Sequence, residues 1–151
     1  MDKYHKFIYK EKLFQMEKKV GIKELISLPD LGIENIKAKV DTGAYGIALH
    51  VDSIELVDDK IHFRIGEKSN NIFVFEKYKK IKVRSSFGQE QERYSILTRI
   101  KLGDSIYKFY ISLTDRKNMR YPVLIGRRFL YKFNYLVDVR QKNLHDRNKK
   151  V

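Results

Sequence analysis

The stretch Lys37-Ala38-Lys39-Val40-Asp41-Thr42-Gly43-Ala44 decides how the rest of the chain is interpreted. Polar and apolar residues alternate up to Val40, which is typical of a β-strand with one buried face. The strand runs directly into Asp-Thr-Gly, where Gly43 permits a sharp turn because it has no Cβ. The pattern predicts Asp41 at the tip of a turn. Alone, the tripeptide is a weak signal, since Asp followed by Thr-Gly is also an ordinary turn.

A second element stands far downstream, in Val123-Leu124-Ile125-Gly126-Arg127-Arg128-Phe129-Leu130. It combines an apolar triplet, a glycine, an arginine and a short helix that we expect to begin near Arg127. Val137 and Val139 suggest a last strand. Between the two elements, short alternating segments recur about every ten residues, which indicates an all-β sandwich or barrel. These segments are Ile61–Ile65, Ile72–Phe75, Ile81–Arg84, Tyr94–Leu102 and Ser105–Leu113.

Composition and charge limit the class of protein. The chain has 151 residues, room for one domain, and no cysteine, which excludes disulfides, thiolate metal sites and a cysteine nucleophile. We divide it into a basic N-terminal extension (1–18), a folded domain (19–140) and a basic C-terminal tail (141–151). The N-terminus lacks a signal-peptide pattern, and no apolar run is long enough to span a membrane, so we expect a cytoplasmic protein without a membrane partner.

The net charge of +13 has two readings. A surface this basic attracts polyanions such as nucleic acid or an acidic polypeptide. A basic surface can also do no more than keep the protein soluble by self-repulsion. Charge alone does not decide between the two.

The two elements together resemble the retropepsin signature, in which an apolar strand ending in Gly-Arg passes beside the Asp-Thr-Gly turn. Over about residues 20–140 the chain resembles a bacterial family of retropepsin-like aspartic endopeptidases, also known as ATP-dependent zinc proteases. The resemblance implies a single-lobed closed barrel with one short C-terminal helix. Further segments that fit the family pattern are Leu28–Ile33, Ala48–His50, Ser86–Gly88, Glu92–Tyr94, Leu102–Gly103, Asp115–Arg116 and Met119.

The resemblance also implies which residues form the site. Asp41, Thr42 and Gly43 would be the catalytic turn, and Val83–Tyr94 is a candidate flap hairpin, although an ordinary surface hairpin is an equally simple interpretation. The expected substrate-binding residues are Ala44, Ser86, Phe87, Gly88, Arg116, Gly126 and Arg127.

Peptide hydrolysis by aspartates needs one ionised and one protonated carboxyl group. Two carboxyl groups held close together share a proton, and the aspartic protease pair is a standard example of this effect. Because the sequence has a single Asp-Thr-Gly, a monomer would hold half a site. We therefore expect a homodimer with Asp41 and its copy at a twofold axis.

Three positions depart from the family pattern, namely Tyr45, Gly46 and Ile47. Retroviral enzymes carry an acidic residue at the place of Tyr45, and it pairs with the arginine of the downstream Gly-Arg. Here Arg127 would need another partner, for which Asp115 or Asp138 is a guess. The departure also motivates an alternative, a non-catalytic binding module on the same fold for an acidic protein or nucleic acid.

The sequence gives little support for a metal or nucleotide cofactor. No helical metalloprotease motif and no Gly-rich phosphate loop is present, and we expect no cofactor. His50, with Asp52 and Glu55, is a weak metal candidate and keeps a metal-dependent peptidase open as a third hypothesis. The family often accompanies ATP-grasp glutamate ligases, which implies an acidic or glutamylated protein substrate.

Overall fold

The computed structural model describes residues 18–66, 71–84, 87–114 and 120–146. These residues form strands, one short 3₁₀ turn at Pro29–Leu31 and one α-helix, α1 (Arg127–Lys132), which confirms the predicted helix start. The strands are β1 (Lys19–Val20), β2 (Lys23–Leu28), β3 (Ile33–Val40), β4 (Ile47–His50), β5 (Ser53–Val57), β6 (Lys60–Arg64), β7 (Ile72–Phe75), β8 (Lys79–Arg84), β9 (Glu90–Leu102), β10 (Ser105–Thr114), β11 (Val123–Ile125) and β12 (Leu136–Val137).

Six of the strands close into a barrel. Their order is β10, β4, β11, β3, β2 and β9, and β9 pairs back onto β10. The β9–β10 hairpin is antiparallel, whereas β10–β4 and β11–β3 are parallel. Closure leaves no free edge in the barrel itself. The all-β closed barrel with one short helix is therefore confirmed.

Smaller elements flank the barrel. β8 extends the sheet beyond β9, and β5, β6 and β7 form a separate antiparallel sheet. β1 and β12 make a two-stranded parallel pair. Val139, expected in the last strand, lies instead in a turn after β12, where Asp138 accepts a hydrogen bond from the backbone N–H of Arg140 at 3.0 Å.

The interior is filled by alternating residues of the barrel strands and by two side chains of α1, Phe129 and Leu130. Phe129 is fully buried and meets the rings of Tyr107 and Phe109 edge to face, with centroids 5.4 Å apart in both pairs. Phe133 also lies against Phe129, at 4.9 Å. This aromatic cluster fixes where α1 begins, and so where the residues after Gly126 lie. None of the helices in the described part of the chain is long and apolar enough to cross a membrane.

A buried carboxylate holds the last described segment against β2. Glu24 is 1% exposed and accepts hydrogen bonds from three backbone N–H groups. The donors are Gly21 at 3.0 Å, Leu144 at 3.1 Å and His145 at 3.0 Å. Residues 141–146, which the sequence analysis placed in a basic tail, therefore pack against the barrel. The remainder of the predicted tail and residues 1–17 lie outside the described residues.

Glu24→Gln is expected to lower the free energy of unfolding by about 1–3 kcal/mol. Glutamine has only one acceptor oxygen, so at least one buried N–H would face an amide NH₂ instead of a carboxylate oxygen. Urea denaturation measures the change, and Glu34→Gln, at an exposed position of β3, is the matched control. Equal stability of the two variants would contradict the role given to Glu24.

A second carboxylate ties the 3₁₀ turn to β9. Arg99 donates to Asp30 through its side chain, at 2.9 and 2.6 Å, and through its backbone N–H, at 2.9 Å. The side-chain and backbone hydrogen bonds from Arg99 lower the pKa of Asp30 to about 2. A depressed carboxyl pKa contributes stability that is present above the unfolded value of about 3.9 and is lost as the pH falls towards 2.

Asp30→Asn should therefore destabilise the protein at pH 7, and the difference from wild type should shrink as the pH falls from about 4 towards 2. Chemical denaturation at several pH values measures this. In an Arg99→Gln background the same substitution should cost much less. A difference that stays constant down to pH 2 would show that the ion pair is not its cause.

Candidate active site

The Asp41 turn begins where β3 ends. The backbone N–H of Asp41 donates to the carbonyl of Ile125 at 2.9 Å, so the turn starts hydrogen bonded to β11. Within the turn, the N–H of Gly43 donates to Asp41 Oδ1 at 3.0 Å, and the N–H of Ala44 donates to the Asp41 carbonyl at 3.1 Å. Asp41 is half-buried, whereas Thr42 and Gly43 are exposed. The turn thus fixes the orientation of the carboxyl group and leaves its tip open.

Gly126 lies in direct backbone contact with this turn. A Cβ atom at Gly126 would stand 2.4 Å from the carbonyl oxygen of Gly46 and 2.7 Å from that of Ala44. This close approach allows two backbone hydrogen bonds. The N–H of Arg127 donates to the carbonyl of Ala44 at 2.9 Å, and the N–H of Arg128 donates to the carbonyl of Tyr45 at 3.0 Å. The structure therefore brings the two motifs of the sequence together through main-chain hydrogen bonds.

Arg127 contacts the turn in a way that the sequence did not predict. Its Nη1 donates to the carbonyl of Gly43 at 3.1 Å, and its guanidinium lies 5.4 Å from the ring centre of Tyr45. Asp138, one of the two guessed partners, binds the side chains of Arg140 and Gln141 instead, so that guess is wrong. The other guess, Asp115, lies outside the described residues.

Tyr45 stands where the retroviral enzymes have an acidic residue, and it contacts arginines through its ring instead of through an ion pair. Arg127 and Arg128 both have their guanidinium groups against its ring, at 5.4 and 5.7 Å from the centroid. A cation over an aromatic face is attracted by the ring quadrupole. Arg128 was absent from the predicted site, although the Arg-Arg pair after Gly126 is the signal that could have suggested it.

The predicted flap region is a hairpin. β8 pairs antiparallel with β9, with Val83 opposite Gln91 and Arg84 opposite Glu90. At its tip Phe87 is 92% exposed and Gly88 has a positive φ of 79°. The hairpin is confirmed, and its action as a flap stays a prediction. Two predicted site residues, Ser86 and Arg116, lie outside the described residues.

The imidazole ring of His50 contacts the carboxylate of Asp52, two residues further along the chain. His50 Nε2 lies 2.9 Å from Asp52 Oδ1, and the other oxygen of Asp52 accepts a hydrogen bond from the N–H of Gly66. Glu55 is on β5, opposite His62 of β6. In the ranges that the structure describes, no three His, Asp or Glu residues are grouped so that they could hold a metal ion.

A closed single-lobed barrel, with an Asp-Thr-Gly turn held against an Ile-Gly-Arg strand, defines the retropepsin-like class of aspartic peptidase folds. Within that class a family model described as retropepsin-like aspartic endopeptidase RimB matches residues 19–148. The chain belongs to this RimB-like family.

The chain is also similar to part of several longer curated proteins. It is 30% identical over 117 residues to a probable alpha-L-glutamate ligase of Shewanella pealeana, covering 72% of this chain and 26% of the relative. A probable alpha-L-glutamate ligase of Parasynechococcus marenigrum is 32% identical over 120 residues, covering 72% of this chain and 25% of the relative. The chain thus spans about a quarter of the length of these relatives.

A solved structure shares the fold. It is a protein of unknown function from Legionella pneumophila subsp. pneumophila strain Philadelphia 1, 29% identical to this chain, with a TM-score of 0.66. The match covers 84% of this chain and 97% of that one.

Gly126→Ala is expected to destabilise the protein by about 1–3 kcal/mol, because the added methyl group would overlap main-chain oxygens that cannot move away as a flexible side chain could. Thermal or urea unfolding measures the loss. Gly46→Ala is the matched control, since a Cβ there would meet nothing within 4 Å. Equal effects at both glycines would argue against the close approach at Gly126.

Proposed function

We propose that the protein is an aspartic endopeptidase that acts as a homodimer and uses Asp41 of both subunits. The observation that carries the proposal is the Asp41 turn, hydrogen bonded through Ile125 and packed against Gly126, with its carboxyl group oriented by Gly43. This is the arrangement expected for a catalytic turn whose carboxylate must be placed accurately. Membership of the RimB-like family supports the same function.

In the proposed reaction the two Asp41 carboxyl groups share one proton. The ionised group takes a proton from water, whose oxygen attacks the peptide carbonyl carbon, while the protonated group gives its proton to the carbonyl oxygen. Transfer of a proton to the nitrogen then breaks the C–N bond and releases an acid and an amine. Closure of the β8–β9 hairpin over the peptide would exclude bulk water.

We propose an acidic protein segment, including a glutamylated one, as the substrate class. The net charge of +13 would attract such a segment. The similarity to part of proteins named alpha-L-glutamate ligases supports the same class, because the product of such a ligase would carry added glutamates. A cytoplasmic location stays a prediction.

A second candidate is a binding module without turnover. It is favoured by Tyr45, which replaces the acidic residue of the retroviral enzymes and makes cation–π contacts with Arg127 and Arg128. Under this proposal the fold binds an acidic partner and Asp41 serves only the turn.

To test the proposed function, wild type and Asp41→Asn are incubated with a diverse peptide mixture that includes glutamate-rich sequences, from pH 3 to pH 8, with and without a chelator. Cleavage by wild type should be insensitive to the chelator and should fall by at least about 10³-fold in Asp41→Asn, since the asparagine cannot act as acid or base. Mass spectrometry identifies the products. Asp58→Asn, in the turn between β5 and β6, is the matched control.

Sedimentation of the same samples reports the oligomeric state. Activity that rises with the dimer fraction is expected if the site is shared. Undiminished cleavage by Asp41→Asn would refute the aspartic mechanism, and loss of cleavage with the chelator would favour a metal-dependent peptidase. Tight binding of acidic peptides without any cleavage would favour the binding module.

A further inference from the structure

Two arginines lie at the edge of the Asp41 turn, and their side chains make different contacts. Arg127 donates a side-chain hydrogen bond to the carbonyl of Gly43 at 3.1 Å, so it helps to hold the turn. Arg128 is exposed, and its backbone N–H donates to the Tyr45 carbonyl at 3.0 Å. Its guanidinium group makes no hydrogen bond to a residue that the structure describes.

Neither arginine forms an ion pair with a carboxylate in the part of the chain that the structure describes. The ion pairs among the described residues involve Lys60, Arg84, Arg99 and Arg140, together with the His50–Asp52 contact, and none includes Arg127 or Arg128. A guanidinium group presents a planar fork of donors that matches a carboxylate. Two adjacent guanidinium groups beside a candidate catalytic turn therefore form a local positive centre that an incoming carboxylate would complete.

Tyr45 prepares these groups for binding. Its ring is 63% exposed and has Arg127 on it at 5.4 Å and Arg128 at 5.7 Å. The ring attracts the guanidinium group of Arg128 through a cation–π contact. Since that group makes no hydrogen bond to a described residue, its donors are available, and a carboxylate can accept two of them at once. The ring also limits the freedom of the side chain, which lowers the entropic cost of binding.

We infer that Arg128, held by Tyr45, is a specificity-determining residue that binds the carboxylate of an acidic side chain in a peptide lying across the Asp41 turn. This inference rests on the proposed function and adds to it the group that selects the acidic substrate. Arg127 is a positioning residue, since its side chain acts on the Gly43 carbonyl. The main-chain link from Arg128 to Tyr45 keeps the acid-binding group in a fixed relation to the turn.

The basic surface as a whole offers a competing explanation, because any of the 32 basic residues could raise the affinity for an acidic peptide. The two explanations differ in their specificity. Electrostatic attraction by the whole surface would lose a similar small amount of affinity whichever exposed cation is removed, and salt would screen it. A bidentate contact depends on one residue and on the shape of its head group.

The test is a binding measurement in the Asp41→Asn background, which separates recognition from turnover. Two fluorescent peptides are used that differ only in glutamate against glutamine at each acidic position. Arg128→Gln should weaken binding of the glutamate peptide about tenfold, as expected for a hydrogen-bonded charge pair at an open site. Binding of the glutamine peptide should change less than about twofold. Arg128→Lys should give an intermediate loss, because it keeps the charge without the planar fork.

Lys108→Gln is the matched control. Lys108 is an exposed residue of β10 opposite Arg99, and its substitution removes the same charge. It should leave both peptides within about twofold of the parent. Tyr45→Leu should reduce the glutamate preference as well, since the cation–π contact that holds Arg128 is lost. Circular dichroism and unfolding curves establish whether each variant is folded. If Arg128→Gln is not folded, Arg128→Lys replaces it in the test.

Equal losses for the two peptides, or equal losses in Arg128→Gln and Lys108→Gln, would overturn the inference. In a protein with intact Asp41 that cleaves peptides, Arg128→Gln should raise KM for the glutamate peptide with kcat within about twofold. A glutamate preference that depends on Arg128 in a protein without cleavage would leave the acid-binding site standing and refute the peptidase. Cleavage that requires Asp41 but does not depend on Arg128 would support the peptidase and refute the acid-binding site.

Discussion

The close backbone approach between Gly126 and the segment 44–46 is the contact on which the candidate site depends. It is possible only because residue 126 has no side chain, and three main-chain hydrogen bonds join the turn to the segment 125–128 around it. Asp41 takes its position from this contact at one end, and Arg127 and Arg128 take theirs at the other. The acid group and the basic groups are therefore placed by the same few peptide units.

The barrel and α1 hold this contact in place from both sides of Gly126. β11 is clamped between β3 and β4, so the strand carrying Ile125 cannot shift without breaking two ladders. On the far side of Gly126, the buried ring of Phe129 anchors the helix in an aromatic cluster. A rigid strand before the glycine and a fixed helix after it leave the intervening peptide little freedom, which is the condition for a preorganised site.

Part of this arrangement follows from local signals, because strand alternation predicted several strands and the residues after Gly126 predicted where α1 begins. That the Asp41 turn and the Gly126 segment lie together was expected only from the resemblance to the retropepsin family. The sequence did not predict β2, since the buried face of that strand carries Glu24, a charged residue that hides the alternation. It also missed the cation–π contact between Arg128 and Tyr45, because such a contact depends on side-chain directions that no spacing rule records.

The parallel pairing of β3 with β11 has a consequence for biosynthesis. Ala38 lies opposite Val123, so the turn after β3 lacks its neighbour until β11 has left the ribosome. Contacts so distant in sequence form slowly and late. Until then a nascent chain carries Asp41 without the strand that orients it. The topology thus keeps the candidate site incomplete until the segment that carries Gly126 has been synthesised.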